Sequence, residues 1–250
     1  MENPKVASYD LRTFKTTEEL VSAAAREFLA LVASSSQPAF SVALPGGRVA
    51  GQFFSKLAAL SAENREALER VQFFWGDERC VPPDDPESNF GLARDRLLAP
   101  LGIPEARIHR IRGELAPDQG ARQAAEELCA LVPAGPMKQP ELDLVLLGMG
   151  ENGHVASLFP EEPEQVRRSP AVFRPVVTTK PPPVRVTLGY PAICAARLVW
   201  VLVSGPGKEA ALRQSLFEEN ATPLGRVLAL HPETVIWTDL RVTPQAAQMR

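Results

Sequence analysis

The chain reads as an α/β fold: a doubly wound, mainly parallel sheet flanked by helices, with a small antiparallel excursion. Two observations predict it. Short runs too apolar to face water on either side, such as LDLVLLG and RLVWVLVSG, alternate with helical patterns of roughly ten or more residues. Parallel neighbours can be joined only through such crossovers, and their helices cover both faces of the sheet. Four strands are also followed by loops that combine glycine with a charged or titratable residue.

Taken in order, TTEELVSAAAREFLALVASS predicts an amphipathic helix, with Thr16 and Glu19 at capping-box spacing and Leu20, Ala24, Phe28 and Leu31 at helical intervals. AFSVAL, Ala39 to Leu44, predicts a short buried strand, PGG a tight turn and VAGQFFSKLAAL a second helix. VQFFW is a strand ahead of the loop GDERCVPPDDPESN, NFGLARDRLLAPL is helical, IHRI is a short strand and DQGARQAAEELCALV is helical. LDLVLLG follows as the most strand-like buried run, then RLVWVLVSG, the helix GKEAALRQSLFEE and a last strand in TVIWTDL. Between LDLVLLG and RLVWVLVSG lies a proline-rich stretch carrying VFRPVV and VRVTL. It predicts a small antiparallel element inside one domain spanning residues 1–250, and not a domain boundary.

With 250 residues, 45% of them hydrophobic and 23% charged, the chain can bury a full core. A net charge of −3 with no local run of Lys and Arg argues against nucleic acid as a partner. The start MENPKVASYD lacks an apolar stretch after a basic one, and no run of about eighteen apolar residues occurs, so neither secretion nor a membrane span is expected. Cys80, Cys129 and Cys194 are odd in number and far apart, which reads as reduced structural thiols of a cytoplasmic protein.

In an open α/β sheet, ligands bind beyond the carboxyl ends of the strands, near the point where strand order reverses. The loops PGGR, GDER, GMGENGH and SGPGK therefore carry the functional reading. PGGR, Pro45 to Arg48, feeds a helix. Its amides, the helix dipole and the Arg48 charge make a phosphate cradle, although an ordinary turn needing Gly46 and Gly47 for its backbone angles has the same pattern. It matches neither a Walker loop nor the dinucleotide fingerprint, so nucleotide binding has little support. Lys208 of SGPGK reads either as a phosphate ligand or as a surface lysine at a helix start. Arg79 of GDER reads either as a fork for phosphate oxygens or as a bridge between neighbouring carboxylates. Ser88 and Asn89 read as caps of the following helix.

Of three histidines, His154 is the one that follows a buried strand among glycines, Gly148, Gly150 and Gly153, which let a bound group come close. His109 and His231 have no such setting and read as structural or surface residues. No HxxxH, HExxH or cysteine pair points to a metal. The nucleophile elbow GxSxG is missing, and Ser157 is expected to cap a helix. What remains is a base with no protein nucleophile, amid cationic loops. That combination fits water or proton chemistry on a small phosphorylated molecule.

These residues resemble a known family. GMGENGHVASLFP resembles the GMGPDGHTASLFP signature of the 6-phosphogluconolactonases, and FFWGDERCVPPDDPESNFG is similar to that family's second signature, a DER followed at fixed distance by SN. KPPPVRVTLGYPAI resembles its KPPPxRITLT segment and VLVSGPGKEAALRQSL its FLVxGxxK helix start, so the resemblance runs from about Ala39 to Asp239. It implies a Rossmann-like fold of the sugar-phosphate isomerase/deaminase type. It also implies hydrolysis of 6-phospho-D-glucono-1,5-lactone to 6-phospho-D-gluconate, the second step of the oxidative pentose phosphate pathway, with no cofactor or metal. His154 matches the family's general base, Arg79 and Lys208 its basic ligand positions, Gly46 and Gly47 its glycine loop and Arg185 the arginine of the KPPPxR segment. The partner implied is a small sugar phosphate, with a monomer allowed.

Two positions depart from the family pattern. PGGRVA stands where SGGSTP is usual, replacing hydroxyls by Arg48 and apolar residues, and Asn152 stands where lactonases usually carry Asp. An aspartate could raise the basicity of His154 or orient it, whereas Asn152 can only orient it. The related sugar-phosphate deaminases often carry GENGH but follow it with AFN, so ASLFP favours the lactonase. The rivals are a glucosamine-6-phosphate deaminase, which needs a further carboxylate base, and a non-catalytic sugar-phosphate sensor, which generally carries a DNA-binding domain for which no chain is left.

Overall fold

Strands apolar on both sides demand cover on both sides, and the central sheet meets that demand. The computed structural model describes residues 9–62, 65–218 and 220–243. β1 (Tyr9–Thr13) leads into α1 (Thr17–Ser34), β2 (Phe40–Leu44) into α2 (Arg48–Ser61), and a 3-10 turn (Arg65–Leu68) into β3 (Val71–Trp75) and β4 (Asp77–Arg79). The chain is helical from Asn89 to Leu101, as α3 (Asn89–Ala93), a π-turn (Arg94–Leu98) and α4 (Ala99–Leu101). After a 3-10 turn (Glu105–Arg107) come α5 (Pro117–Leu131), β5 (Leu144–Gly148), α6 (Glu164–Arg167), β6 (Phe173–Val177) and β7 (Val184–Leu188). α7 (Tyr190–Cys194), β8 (Leu198–Val203), α8 (Glu209–Phe217), α9 (Pro223–Leu230) and β9 (Thr234–Thr238) complete the order.

Six strands form one parallel sheet in the order β1-β9-β8-β5-β2-β3. From β2 the chain first steps outward to β3 and later returns on the other side, where Val42 and Ala43 of β2 pair with Leu144 and Val145 of β5. The strand order therefore reverses between β2 and β5. β4, β7 and β6 make the antiparallel excursion, a separate three-stranded sheet. It stands on the carboxyl end of β3, because Gly76 between β3 and β4 donates its N–H to Leu44 O and accepts from Leu188 N. Pro175 is tolerated in β6 because that strand is an edge. One buried cluster runs through both sheets, from Phe28 and Trp75 to Val186 and Leu188.

Several expectations need adjustment. The capping box is half present: Thr16 Oγ1 accepts from Glu19 N, but the Glu19 carboxylate reaches past the cap to Lys15 N. IHRI makes a single bridge, Ile108 to Phe73, and no strand. The chain turns away at Gly113, where a Cβ would meet Arg79 O at 2.3 Å, and His109 is occupied by Gln72 and Glu127 while stacked on Phe74. The helix read in GKEAALRQSLFEE starts two residues later, at Glu209, because the positive φ of Gly207 holds the preceding loop open. Its last residue, Glu219, lies outside the described residues, as does the start of the chain through residue 8. Ser157 caps nothing: it sits in a turn and donates its hydroxyl to Asp77 Oδ2 at 2.6 Å. Cys194 is buried and Cys80 half-buried, but Cys129 is exposed on α5 and is no core residue. His231 is buried between Thr234 and Ala196 O, a structural role as expected.

Glu78 fastens the excursion to the parallel sheet. Only 2% exposed, its carboxylate accepts from the backbone N–H groups of Arg79, Asn89 and Phe90 at 2.7 to 2.8 Å and from the Ser88 hydroxyl at 3.1 Å. Burial nevertheless pushes its pKa up to about 6. Removing it strands donors that water cannot reach, so Glu78→Ala should lower the free energy of unfolding by about 3 kcal/mol. Urea unfolding checks this, and a loss below about 0.5 kcal/mol would contradict the anchoring role.

Candidate active site

A cleft with about 560 Å³ of open space lies where the strand order reverses, between the loops that leave β2, β3, β5 and β8. It is lined by Gly46, Gly47, Arg48, Arg79, His154, Arg185 and Lys208. Every residue singled out from the sequence is thus gathered there except Asn152, which stands directly behind His154.

One wall is built to face an anion. Gly47, at φ 93°, is the N-cap of α2 and supplies no side chain to close the helix end, so the first-turn amides stay open. The anion-binding end of a helix dipole is completed by Arg48, its first residue. Lys208, just ahead of α8, lies close to Arg48, and its pKa is lowered by burial and then by the Arg48 charge. Charge would not be spent this way on an ordinary turn.

The opposite wall belongs to the antiparallel sheet, where Arg79 of β4 pairs with Arg185 of β7 directly across the strands. Arg79 donates to the Glu87 carbonyl at 2.5 Å and to its carboxylate at 3.2 Å, so it takes neither Asp77 nor Glu78 as its bridge. Arg185 is 5% exposed and largely committed to the backbone: its Nε donates to Pro182 O, and its Nη2 to Lys180 O and Pro181 O. Burial and then the Arg79 charge lower its pKa. Arg185 therefore holds the β6–β7 turn as much as it faces the cleft.

His154 sits between the walls. Its Nδ1 is 2.6 Å from Asn152 Oδ1, its ring tilts against Phe159 at 4.8 Å between centroids, and Gly150 makes room for it. A Cβ at Gly150 would stand 1.9 Å from the His154 ring. Asn152 Oδ1 also accepts from Lys180 Nζ at 3.2 Å. An ammonium only donates, so the amide atom between the two groups is oxygen and His154 Nδ1 carries the hydrogen. Nε2 keeps the lone pair. Burial, followed by the charges of Lys180, Arg185, Lys208 and Arg79, pushes the His154 pKa down to about 3.

Three residues stand at or behind the site with partners that their local sequence does not announce. Asp77 lines the cleft at 5% exposure, accepting from Ser157 at Oδ2 and from Asn89 Nδ2 at Oδ1. Asn89 is accordingly a prop for Asp77, while Ser88 alone caps α3 through Gly91 N. Lys180, which donates to Asn152 Oδ1, opens the KPPP segment that carries Arg185. Among the described residues no group of three or more His, Cys, Asp or Glu side chains is arranged to hold a metal ion.

Comparison with known proteins places this geometry. The family model for glucosamine-6-phosphate isomerases/6-phosphogluconolactonase matches residues 15–237. A 6-phosphogluconolactonase of Mycobacterium tuberculosis is 35% identical over 239 residues, covering 92% of this chain and 95% of that one. A human 6-phosphogluconolactonase is 34% identical over 228 residues, covering 90% and 87%. Among solved structures, the 6-phosphogluconolactonase from Trypanosoma brucei superposes with a TM-score of 0.79 at 29% identity, over 92% of this chain and 96% of that one. A monomeric glucosamine-6-phosphate deaminase shares the fold, with a TM-score of 0.77 at 22% identity over 92% and 96%. The chain belongs to the glucosamine-6-phosphate isomerase/6-phosphogluconolactonase family.

Proposed function

We propose that the chain hydrolyses 6-phospho-D-glucono-1,5-lactone to 6-phospho-D-gluconate, with water activated by His154. One observation carries this: a half-buried imidazole whose Nε2 lone pair is open in a cleft otherwise rich in fixed positive charge. The α2 amides, Arg48 and Lys208 take the 6-phosphate and thereby hold the lactone ring against the base. Water attacks C1 as Nε2 accepts its proton, and Arg79 with Arg185 offsets the oxyanion of the tetrahedral intermediate. The imidazolium then returns the proton to the ring oxygen as the C1–O bond breaks.

The low pKa of His154 fits this sequence of events. A bound phosphate dianion compensates the surrounding cations, so the imidazole gains basicity only when substrate is in place. Asn152 adds no charge of its own, and its contact with Nδ1 supports a role in orienting the ring.

The named relatives support the lactonase over the deaminase. Three unpaired thiols support a cytoplasmic setting, and no helix among the described residues is long and apolar enough to cross a membrane.

Replacing His154 by Ala should cut kcat by roughly 10² to 10⁴-fold with little change in KM. Lactone loss corrected for the spontaneous rate measures it, and turnover within about twofold of wild type would remove His154 from its role. For Lys208→Ala, kcat/KM on the phosphorylated lactone should fall by roughly tenfold or more, while unphosphorylated gluconolactone is unaffected. Equal loss on both substrates would contradict the phosphate anchor.

A further inference from the structure

We propose that Lys180 is a positioning residue for the base: by donating to Asn152 Oδ1 it fixes which way the Asn152 amide faces, and through that amide which ring nitrogen of His154 is left open to the cleft. The inference deepens the general-base role proposed above and rests on it.

A side-chain amide has two ends of nearly the same size and opposite hydrogen-bonding character. With its oxygen toward His154, Asn152 demands Nδ1–H and leaves Nε2 as a base. Turned over, its NH2 demands a bare Nδ1, places the hydrogen on Nε2 and closes the base. Nothing in the His154–Asn152 pair alone selects between these arrangements, because imidazole adapts to either. Lys180 selects. Its Nζ lies 3.2 Å from the same Oδ1 that His154 Nδ1 approaches at 2.6 Å, and an ammonium has no acceptor to offer an NH2 group. Turning the amide over would replace a charge-assisted bond by two opposed donors.

The lysine is itself held. The carbonyls of Lys180, Pro181 and Pro182 all accept from Arg185, Lys180 N donates to Thr178 Oγ1, and Thr178 N closes the turn onto Pro183 O. The half-buried side chain therefore leaves a fixed backbone and ends on Asn152. The lactonase signature resembled by this loop carries Asp where Asn152 stands. A carboxylate accepts at both oxygens, so Nδ1–H would follow there without a guard. Lys180 is thus what makes an amide serviceable at position 152.

The test follows the His154 tautomer by ¹⁵N NMR of the unliganded protein, together with kcat and KM. Wild type and Lys180→Arg should show Nδ1–H. Lys180→Met should show a mixture with Nε2–H and a kcat lowered roughly tenfold, KM staying within about twofold. Adding Asn152→Asp to Lys180→Met should restore Nδ1–H, a coupling that general damage to the fold would not produce. Lys180→Met retaining Nδ1–H alone, or a double variant no better than the single one, would overturn the proposal. The tautomer is read without substrate, so failure of the lactonase reading, seen as unchanged turnover in His154→Ala, is a separate result.

Discussion

Positive charge gathered around a half-buried imidazole is the constraint on which the rest of this molecule depends. Arg48 and Lys208 come from the loops after β2 and β8, Arg79 from the edge strand β4 of the antiparallel excursion, Lys180 from its β6–β7 turn, and Arg185 from its central strand. Like charges drawn together out of water repel, and only a scaffold that pays for them elsewhere can hold them. That scaffold is visible in the backbone carbonyls that take Arg185, in the Glu87 carbonyl and carboxylate that take Arg79, and in the Glu78 carboxylate that ties β4 to the start of α3. Arg48 and Lys208 are left facing the cleft, where an anion is the natural complement.

This arrangement gives one field two effects. It opposes protonation of His154, so the imidazole is already in the form a base requires. Toward a phosphorylated lactone the same field is attractive, and binding cancels part of the repulsion that made the imidazole weakly basic. Substrate capture and base activation are therefore coupled through charge, with no moving part. Behind the imidazole, an amide stands where the lactonase signature carries a carboxylate: Asn152 Oδ1 meets both His154 Nδ1 and Lys180 Nζ.

Much of this was legible in the sequence because the informative residues lie on loops tied to strands that could not be mistaken. LDLVLLG and RLVWVLVSG are apolar on both sides, so the loops after them had to open at the carboxyl edge where His154 and Lys208 were found. The elements that escaped were those whose pairing is decided by tertiary context. β1 is a half-exposed edge strand with no apolar run, β4 is three charged residues that become a strand only because β7 lies opposite, and IHRI fails as a strand because the chain turns at Gly113. Side-chain partnerships were least legible. Ser157 and Asn89 carry the composition of helix caps, and nothing local says that both turn instead to Asp77. Lys180 lies 28 positions from Asn152 in the chain, so their contact is a product of the β6–β7 turn.

The account stands or falls on the charge state of one ring. An ordinary histidine exchanges its proton near pH 6.5, with the cationic form taking over below that value. For His154 the neutral form is favoured by burial and by its cationic neighbours, which moves the change down to about 3. NMR titration of the His154 imidazole in the unliganded protein tests this directly: the ring should remain neutral from about pH 8 down to about pH 5. A protonation midpoint near 6.5 would contradict the claim that the cleft's fixed charge keeps His154 ready as a base.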